Sequence, residues 1–243
     1  MIQSILTIVL LGTLPWVQQT GIALAWLGLV GGVAWGVHQS QLGSPLGSTE
    51  VTRELTRKVV HIGTGNVILL AWWLQIPAWV GIMASVLFSI VALLSYFFPL
   101  LPGINSVGRR SWGTFFYAAS IGLLVAWFWP LHLPQFAVVG ILVMTWGDGL
   151  AAIVGQRWGQ HPYQLWGMNK SLEGSLTMTI VSGMVSAIVL MTLPLPGMVI
   201  LSIAIAVAIT STILEAFSKL GLDNLTVPLG AAACSFWLSQ GYL

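Results

Sequence analysis

GILVMTWGDGLAAIVGQRWGQHPYQLWGMNKSLEGS, Gly140–Ser175, runs from an apolar segment into a loop that holds Asp148, Arg157, Lys170 and Glu173. Charge is scarce elsewhere: the 243 residues include eight Lys and Arg and six Asp and Glu, 6% of the chain. A soluble domain carries roughly 25% charged residues, whereas this chain is 57% hydrophobic with a mean hydropathy of +0.92. The apolar segment ending at Asp148 therefore reads as a membrane helix. A carboxylate at a helix centre costs about 2.5–3.5 kcal/mol on insertion scales, which makes Asp148 either a water-boundary residue or a functional one. Gly147 and Gly149 flank it and allow backbone or ligand to approach closely. Lys170 and Glu173 follow on a loop bracketed by Gly167 and Gly174. An acid, a cation, a second acid and bare backbone are the parts of a metal–phosphate site. A plain polar loop accounts for Asp148 alone about as well, but it does not require this density of glycine.

Apolar runs long enough to span a bilayer recur along the chain. They are Ile2–Val17, Gly21–His38, Val59–Gln75, Ala78–Phe98, Thr114–Trp129, Pro134–Val154, Leu176–Leu193, Gly197–Leu214 and Leu225–Leu243. The expected fold is all-α: one polytopic integral membrane bundle, residues 1–243, with about nine transmembrane helices and a range of roughly seven to nine. All Lys, Arg, Asp and Glu fall in or beside four longer loops, Gln39–Lys58, Pro99–Gly113, Gly155–Ser175 and Glu215–Asn224. Nine spans put those loops on one side, which the positive-inside bias makes cytoplasmic. The thirteen tryptophans suit interfacial belts. A net charge of +2 gives no reason to expect nucleic acid, and the single cysteine, Cys234, excludes an intramolecular disulfide. Met1–Leu14 lacks the basic start and small-residue cleavage site of a secretory signal.

Three further charged stretches carry candidates. In EVTRELTRKVVHIGTGN, Glu50–Asn66, helical spacing puts Arg53, Arg57 and His61 roughly on one face and pairs Glu54 with Lys58. That face is either an anion grip at membrane depth or a positive-inside anchor. His61, at the start of a span, needs a partner. NSVGRRSWG, Asn105–Gly113, offers Arg109 and Arg110 as either a phosphate grip or a topogenic loop. In EAFSKLGLDNLTVP, Glu215–Pro228, Glu215 and Lys219 have the spacing of a helical ion pair. Asp223 there is either a helix N-cap or a second oxygen ligand for Mg²⁺. Asn169-Lys170-Ser171 lacks the glycine and preceding strand of a P-loop, and no HExxH or GxSxG occurs.

Four of these motifs, in order, resemble a known family. They are Arg57-Lys58-x-x-His61-Ile62; Gly147-Asp148-Gly149 with Ala151 and Gly155; Lys170-Ser171-x-Glu173-Gly174-Ser175; and Glu215 with Asp223-Asn224-Leu225-Thr226-Val227-Pro228. Together they are similar to the polyprenol kinases, which act on phytol, farnesol and dolichol, and among these to the plant and cyanobacterial phytol kinases. The resemblance covers residues 53–230 as the catalytic region and leaves two N-terminal spans, residues 1–38, outside it. It implies phosphoryl transfer, commonly from CTP, to the hydroxyl of an isoprenoid alcohol in the membrane. It further implies that Asp148 and Asp223 hold Mg²⁺. The nucleotide would be bound by Arg57, Lys58, Gly147, Gly149, Lys170, Ser171 and Asn224, and the hydroxyl proton handled by Glu173 or His61. The isoprenoid tail would lie between spans, near Trp72, Trp73 and Phe88. A cytidylyltransferase using CTP and Mg²⁺ is a rival enzyme, and a transporter of an anionic lipid or small acid a rival of another class. One-sided charge placement disfavours the transporter.

Overall fold

A computed structural model describes residues 15–42, 58, 60–97 and 112–243. Arg53, Glu54, Arg57, Arg109, Arg110 and most of the expected span Ile2–Val17 lie outside the described residues. Eight helices are found among those described: α1 (Trp16–Leu42), α2 (Val60–Trp73), α3 (Ala78–Phe97), α4 (Gly113–Phe128), α5 (Pro134–Trp158), α6 (Leu172–Leu190), α7 (Gly197–Ala216) and α8 (Asp223–Ser239). The apolar stretches of α3, α5, α6 and α7 are long enough to cross a membrane, while α2 and α4 are shorter apolar helices. The nine spans expected from the apolar runs are thus not supported: the described residues hold eight helices, four of them long and apolar enough to cross a membrane, and most of Ile2–Val17 lies outside them. Gln18, Gln19 and Thr20, read as a break between two spans, are instead the first turn of α1. The amides of Gln18 and Gln19 bond to the Pro15 carbonyl, and the Thr20 hydroxyl donates to the Trp16 carbonyl at 2.8 Å.

The bundle is organised around α5. Its apolar window is 72% buried, against 11% for α3, 28% for α6 and 33% for α7. Every side chain from Phe136 to Met144 is buried, the signature of a helix apolar all round and enclosed by others. It packs against α4, α6 and α8. Gly140 admits the carbonyl of Pro228 on α8; a Cβ there would also lie 3.0 Å from the Ala232 methyl group. Gly65 serves α2 in the same way, since a Cβ at that position would fall onto the Thr145 and Tyr117 hydroxyls. Gly65 and Gly140 are therefore points of helix contact.

Two local departures from regular helix matter for the site. Val143–Asp148 is a π-helical turn inside α5, a device that admits an extra residue and is frequent at functional sites. The Thr145 hydroxyl donates to the Ile141 carbonyl at 2.6 Å and lies 2.8 Å from the Tyr117 hydroxyl, so the widened turn is pinned from α4. The second departure corrects the all-α expectation. Pro162–Leu165 (β1) and Met168–Ser171 (β2) form an antiparallel hairpin with Tyr163 opposite Lys170. Its two-residue connection, Trp166-Gly167, has φ of +48° and +76°. Two successive left-handed residues are what a tight hairpin turn requires, and Gly167 adopts that geometry freely.

Candidate active site

The polar end of the bundle draws on four separated segments. Lys58, just before α2, forms a buried ion pair with Asp148, the last residue of the π turn. Lys170, on β2, forms a second pair with Glu215 near the C-terminal end of α7 and also donates to its carbonyl at 3.3 Å. The hairpin reaches α7 because Trp166 at its tip packs edge-on against Phe217, with ring centroids 5.3 Å apart. Asp223 opens α8, and its Oδ1 accepts from the Asn224 amide at 3.0 Å and from Asn224 Nδ2 at 3.1 Å. Leu220 and Gly221, both at positive φ, make the turn that brings this helix start back toward α7.

These groups form one electrostatic cluster. The charges of Lys58, His61 and Lys170 act on Asp148, and those of Asp148, Lys58 and Lys170 act on Asp223. Asp223 precedes the apolar part of α8; burial, then the Asp148 carboxylate, push its pKa up to about 6. Burial disfavours the charge on Lys170, but Glu215 outweighs it and holds the ammonium above the ordinary lysine range. Among the described residues two ammonium groups and an imidazole face three carboxylates.

The donor set fits a hard divalent cation. Asp148 and Asp223 supply carboxylate oxygens, and Asn224 fixes one oxygen of Asp223. Among the described residues no three His, Cys, Asp or Glu side chains gather as a self-sufficient metal cage. Mg²⁺ does not need one, since it is commonly held by one or two carboxylates together with substrate phosphates.

Of the residues expected at the site, Lys58, His61, Asp148, Lys170, Asp223 and Asn224 come together. His61 packs against Tyr117 with ring centroids 4.2 Å apart and planes tilted by 31°, and its Nε2 lies 3.4 Å from the Met144 carbonyl, alongside the π turn. Glu173 has a different partner, His161, with Nδ1 2.6 Å from its Oε1. Ser171 caps α6, its hydroxyl accepting from the Gly174 amide at 3.1 Å. Gly155 and Gly174 make room for that cap: a Cβ on either would come within 3.1 Å of the Ser171 hydroxyl. Gly147 and Gly149 also serve packing. A Cβ on Gly147 would lie 2.7 Å from Met178 Sδ, and one on Gly149 2.9 Å from Ile62. Arg57 lies outside the described residues.

One pairing differs from the sequence reading: Glu215 takes Lys170 as its partner, leaving Lys219 exposed. Lys58 is bound to Asp148, while Glu54, expected beside it, lies outside the described residues. Sequence reasoning passed over Tyr117 and Thr145, which tie α4 to the π turn. A tyrosine hydroxyl inside an apolar run was the available signal, since a buried hydroxyl needs a partner.

Sequence comparison adds a separate line of observation. The chain is 58% identical over 179 residues to a phytol kinase of Synechocystis sp., covering 74% of this chain and 77% of that protein. It is 30% identical over 213 residues to a chloroplastic farnesol kinase of Arabidopsis thaliana, covering 76% and 66%. It is 27% identical over 210 residues to a probable chloroplastic phytol kinase 2 of Glycine max, covering 77% and 66%. No family model and no solved structure matches the chain.

Proposed function

The chain belongs to the polyprenol kinase family, close to the phytol kinases, and we propose that it transfers the γ-phosphoryl group of a nucleoside triphosphate, CTP by preference, to the hydroxyl of phytol or a related prenol. The kinase activity follows from the relatives. The observation that carries the site assignment is the cluster of Lys58, Asp148 and Glu215, all buried, with the half-buried Lys170 and Asp223, five charges drawn together in a chain that is only 6% charged. Phosphoryl transfer depends on positioning and charge neutralisation more than on covalent chemistry, and paired acids and cations supply both.

In this reading Asp148 and Asp223 would hold Mg²⁺, which would supply positive charge to offset that of the phosphates. Lys170 and Lys58, with Arg57, hold the nucleotide phosphates. Each lysine is held by a carboxylate until an anion arrives, so the site resists collapse while empty. Asn224 keeps Asp223 oriented. His61 is the better candidate to orient the acceptor hydroxyl, because it sits beside the π turn while Glu173 is engaged by His161. Glu173, Ser171 and the glycines around them hold the hairpin that presents Lys170. The reaction needs a nucleotide, so the cluster faces the cytoplasmic side; a cysteine placed at position 160 in a Cys234→Ala background is expected to react from that side alone.

Labelled nucleotide tests the reading. With Mg²⁺ and phytol, label from the γ position of CTP is expected in the lipid, while α-label stays in CDP. Lipid carrying the α-label would indicate cytidylyl transfer instead. A faster reaction with another triphosphate would move the donor assignment away from CTP.

A further inference from the structure

Between α1 and α2 lies a cleft of about 320 Å³, lined by Trp26, Asn66, Leu69, Leu70 and Trp73. Only one of these residues, Asn66, is neither aromatic nor aliphatic, and it stands where α2 is interrupted. Its Oδ1 accepts from the Trp146 indole at 3.0 Å, and Trp146 precedes Asp148 by two residues in the π turn. The opposite wall is fixed by the Trp26 indole, which donates to the Gly63 carbonyl at 2.8 Å. The cleft is thus built, and one side chain connects it to the charged cluster.

We propose that this cleft holds the hydrocarbon chain of the acceptor alcohol, an inference that rests on the kinase reading of the site. Lys58 marks the charged end, and Asn66 lies eight residues further along the chain, about 12 Å at the rise of a helix. Leu69, Leu70 and Trp73 continue in the same direction, away from the charges and toward the apolar interior. An alcohol with its hydroxyl beside Asp148 and His61 would run along α2, pass Asn66 and enter the cleft. The volume is at the low end for ligand pockets, roughly 300–1,000 Å³. It therefore grips one portion of a long chain and leaves the remainder in lipid. Leu and Trp surfaces attract hydrocarbon without directional contacts, so this wall selects for reach rather than for the pattern of double bonds. Of the residues expected near the tail, Trp73 lines the cleft; Trp72 packs against the core and Phe88 lies exposed on α3. The sequence reading therefore had one of its three tail residues in this cleft.

The test compares a twenty-carbon isoprenol with a five-carbon one, which is too short to pass Asn66. Leu69→Trp, which fills the cleft, is expected to raise KM for the long alcohol about tenfold, on the order of losing one or two buried methylene groups, with kcat little changed. Trp73→Ala, at a half-exposed position and so mild for folding, is expected to shift the same KM in the same direction. Neither variant should alter kcat/KM for the short alcohol. Equal loss for both alcohols, or no change for either, would overturn the cleft assignment. A photoreactive twenty-carbon isoprenol supplies an arm that does not depend on turnover. Its label is expected on the peptide containing Leu69–Trp73, displaced by phytol and not by excess phospholipid. Displacement by phospholipid would make the cleft a lipid contact only. Labelling there without phosphate transfer would sink the kinase reading and leave the cleft standing; transfer with labelling elsewhere would do the reverse.

Discussion

Asp148→Asn is expected to lower turnover of the isoprenoid alcohol by at least about a hundredfold, the scale of removing one preorganised electrostatic group. Asparagine keeps the size of the side chain and one oxygen acceptor, so the variant tests charge rather than packing. A carboxylate beside a triphosphate is tolerable when it holds the cation that neutralises the phosphates, and an amide cannot replace it in that role. The buried pair with Lys58 adds a second consequence. Removing one partner of a buried pair leaves an uncompensated charge and typically costs about 3–5 kcal/mol. Thermal stability must therefore be read beside the rate. The double variant Lys58→Met with Asp148→Asn should regain most of the lost stability, because both charges are gone, yet remain inactive. Recovery of activity along with stability would show that Asp148 serves the fold alone.

Glu215→Gln is expected to have the second largest effect. Glu215 is almost fully enclosed, and its carboxylate partners an ammonium group that is itself mostly buried. Gln can still accept one hydrogen bond from Lys170 but leaves the charge unbalanced, so a stability loss of several kcal/mol, about 3–5, is expected. Lys170→Met should lower stability by a similar amount and also weaken nucleotide binding, because the group proposed to meet phosphate is gone. Lys219→Met is the control: that side chain is exposed and should be nearly silent in both readouts. The pH dependence has a definite sign. The Lys170 pKa is raised in the folded state, so the contribution of its pair is fully present below the ordinary lysine range and lost as pH rises through the elevated value. Denaturation between pH 6 and pH 11, compared in wild type and Lys170→Met, checks this: the difference in stability should narrow only at the alkaline end. A gap that closes near neutrality would contradict the pairing.

Much of this site was legible in the sequence, for a reason specific to membrane proteins. Charge is so costly in lipid that the few carboxylates and ammonium groups of the chain were candidates by type alone, and Asp148, Lys170, Asp223 and Lys58 were all found that way. Their partners were not legible. Lys170 and Glu215 stand 45 residues apart, while Lys219 stands four residues from Glu215 and satisfied a local rule. Local rules reward near neighbours, and here the fold chose the distant one. The π turn escaped for a related cause: an extra residue in a helix leaves the apolar run unbroken, so composition over Gly140–Trp146 is the same with or without it. The hairpin lay in a stretch too polar to be a span and too short to show alternation, although Trp166-Gly167 held a glycine where a tight turn needs one. The count of nine spans is not supported: the described residues form eight helices, and most of the expected span Ile2–Val17 lies outside them.

The assignment of Asp148 and Asp223 to one shared cation is the centre of this account, and nucleotide-dependent Mn²⁺ binding followed by electron paramagnetic resonance tests it most directly. Mn²⁺ accepts the same oxygen ligands as Mg²⁺. With CDP present, wild-type protein is expected to bind one Mn²⁺ per chain, whereas Asp148→Asn and Asp223→Asn, each folded by the criterion of thermal melting, should lose most of that binding. Undiminished Mn²⁺ binding in both variants would contradict the account and place the metal, and with it the phosphate chemistry, elsewhere in the protein.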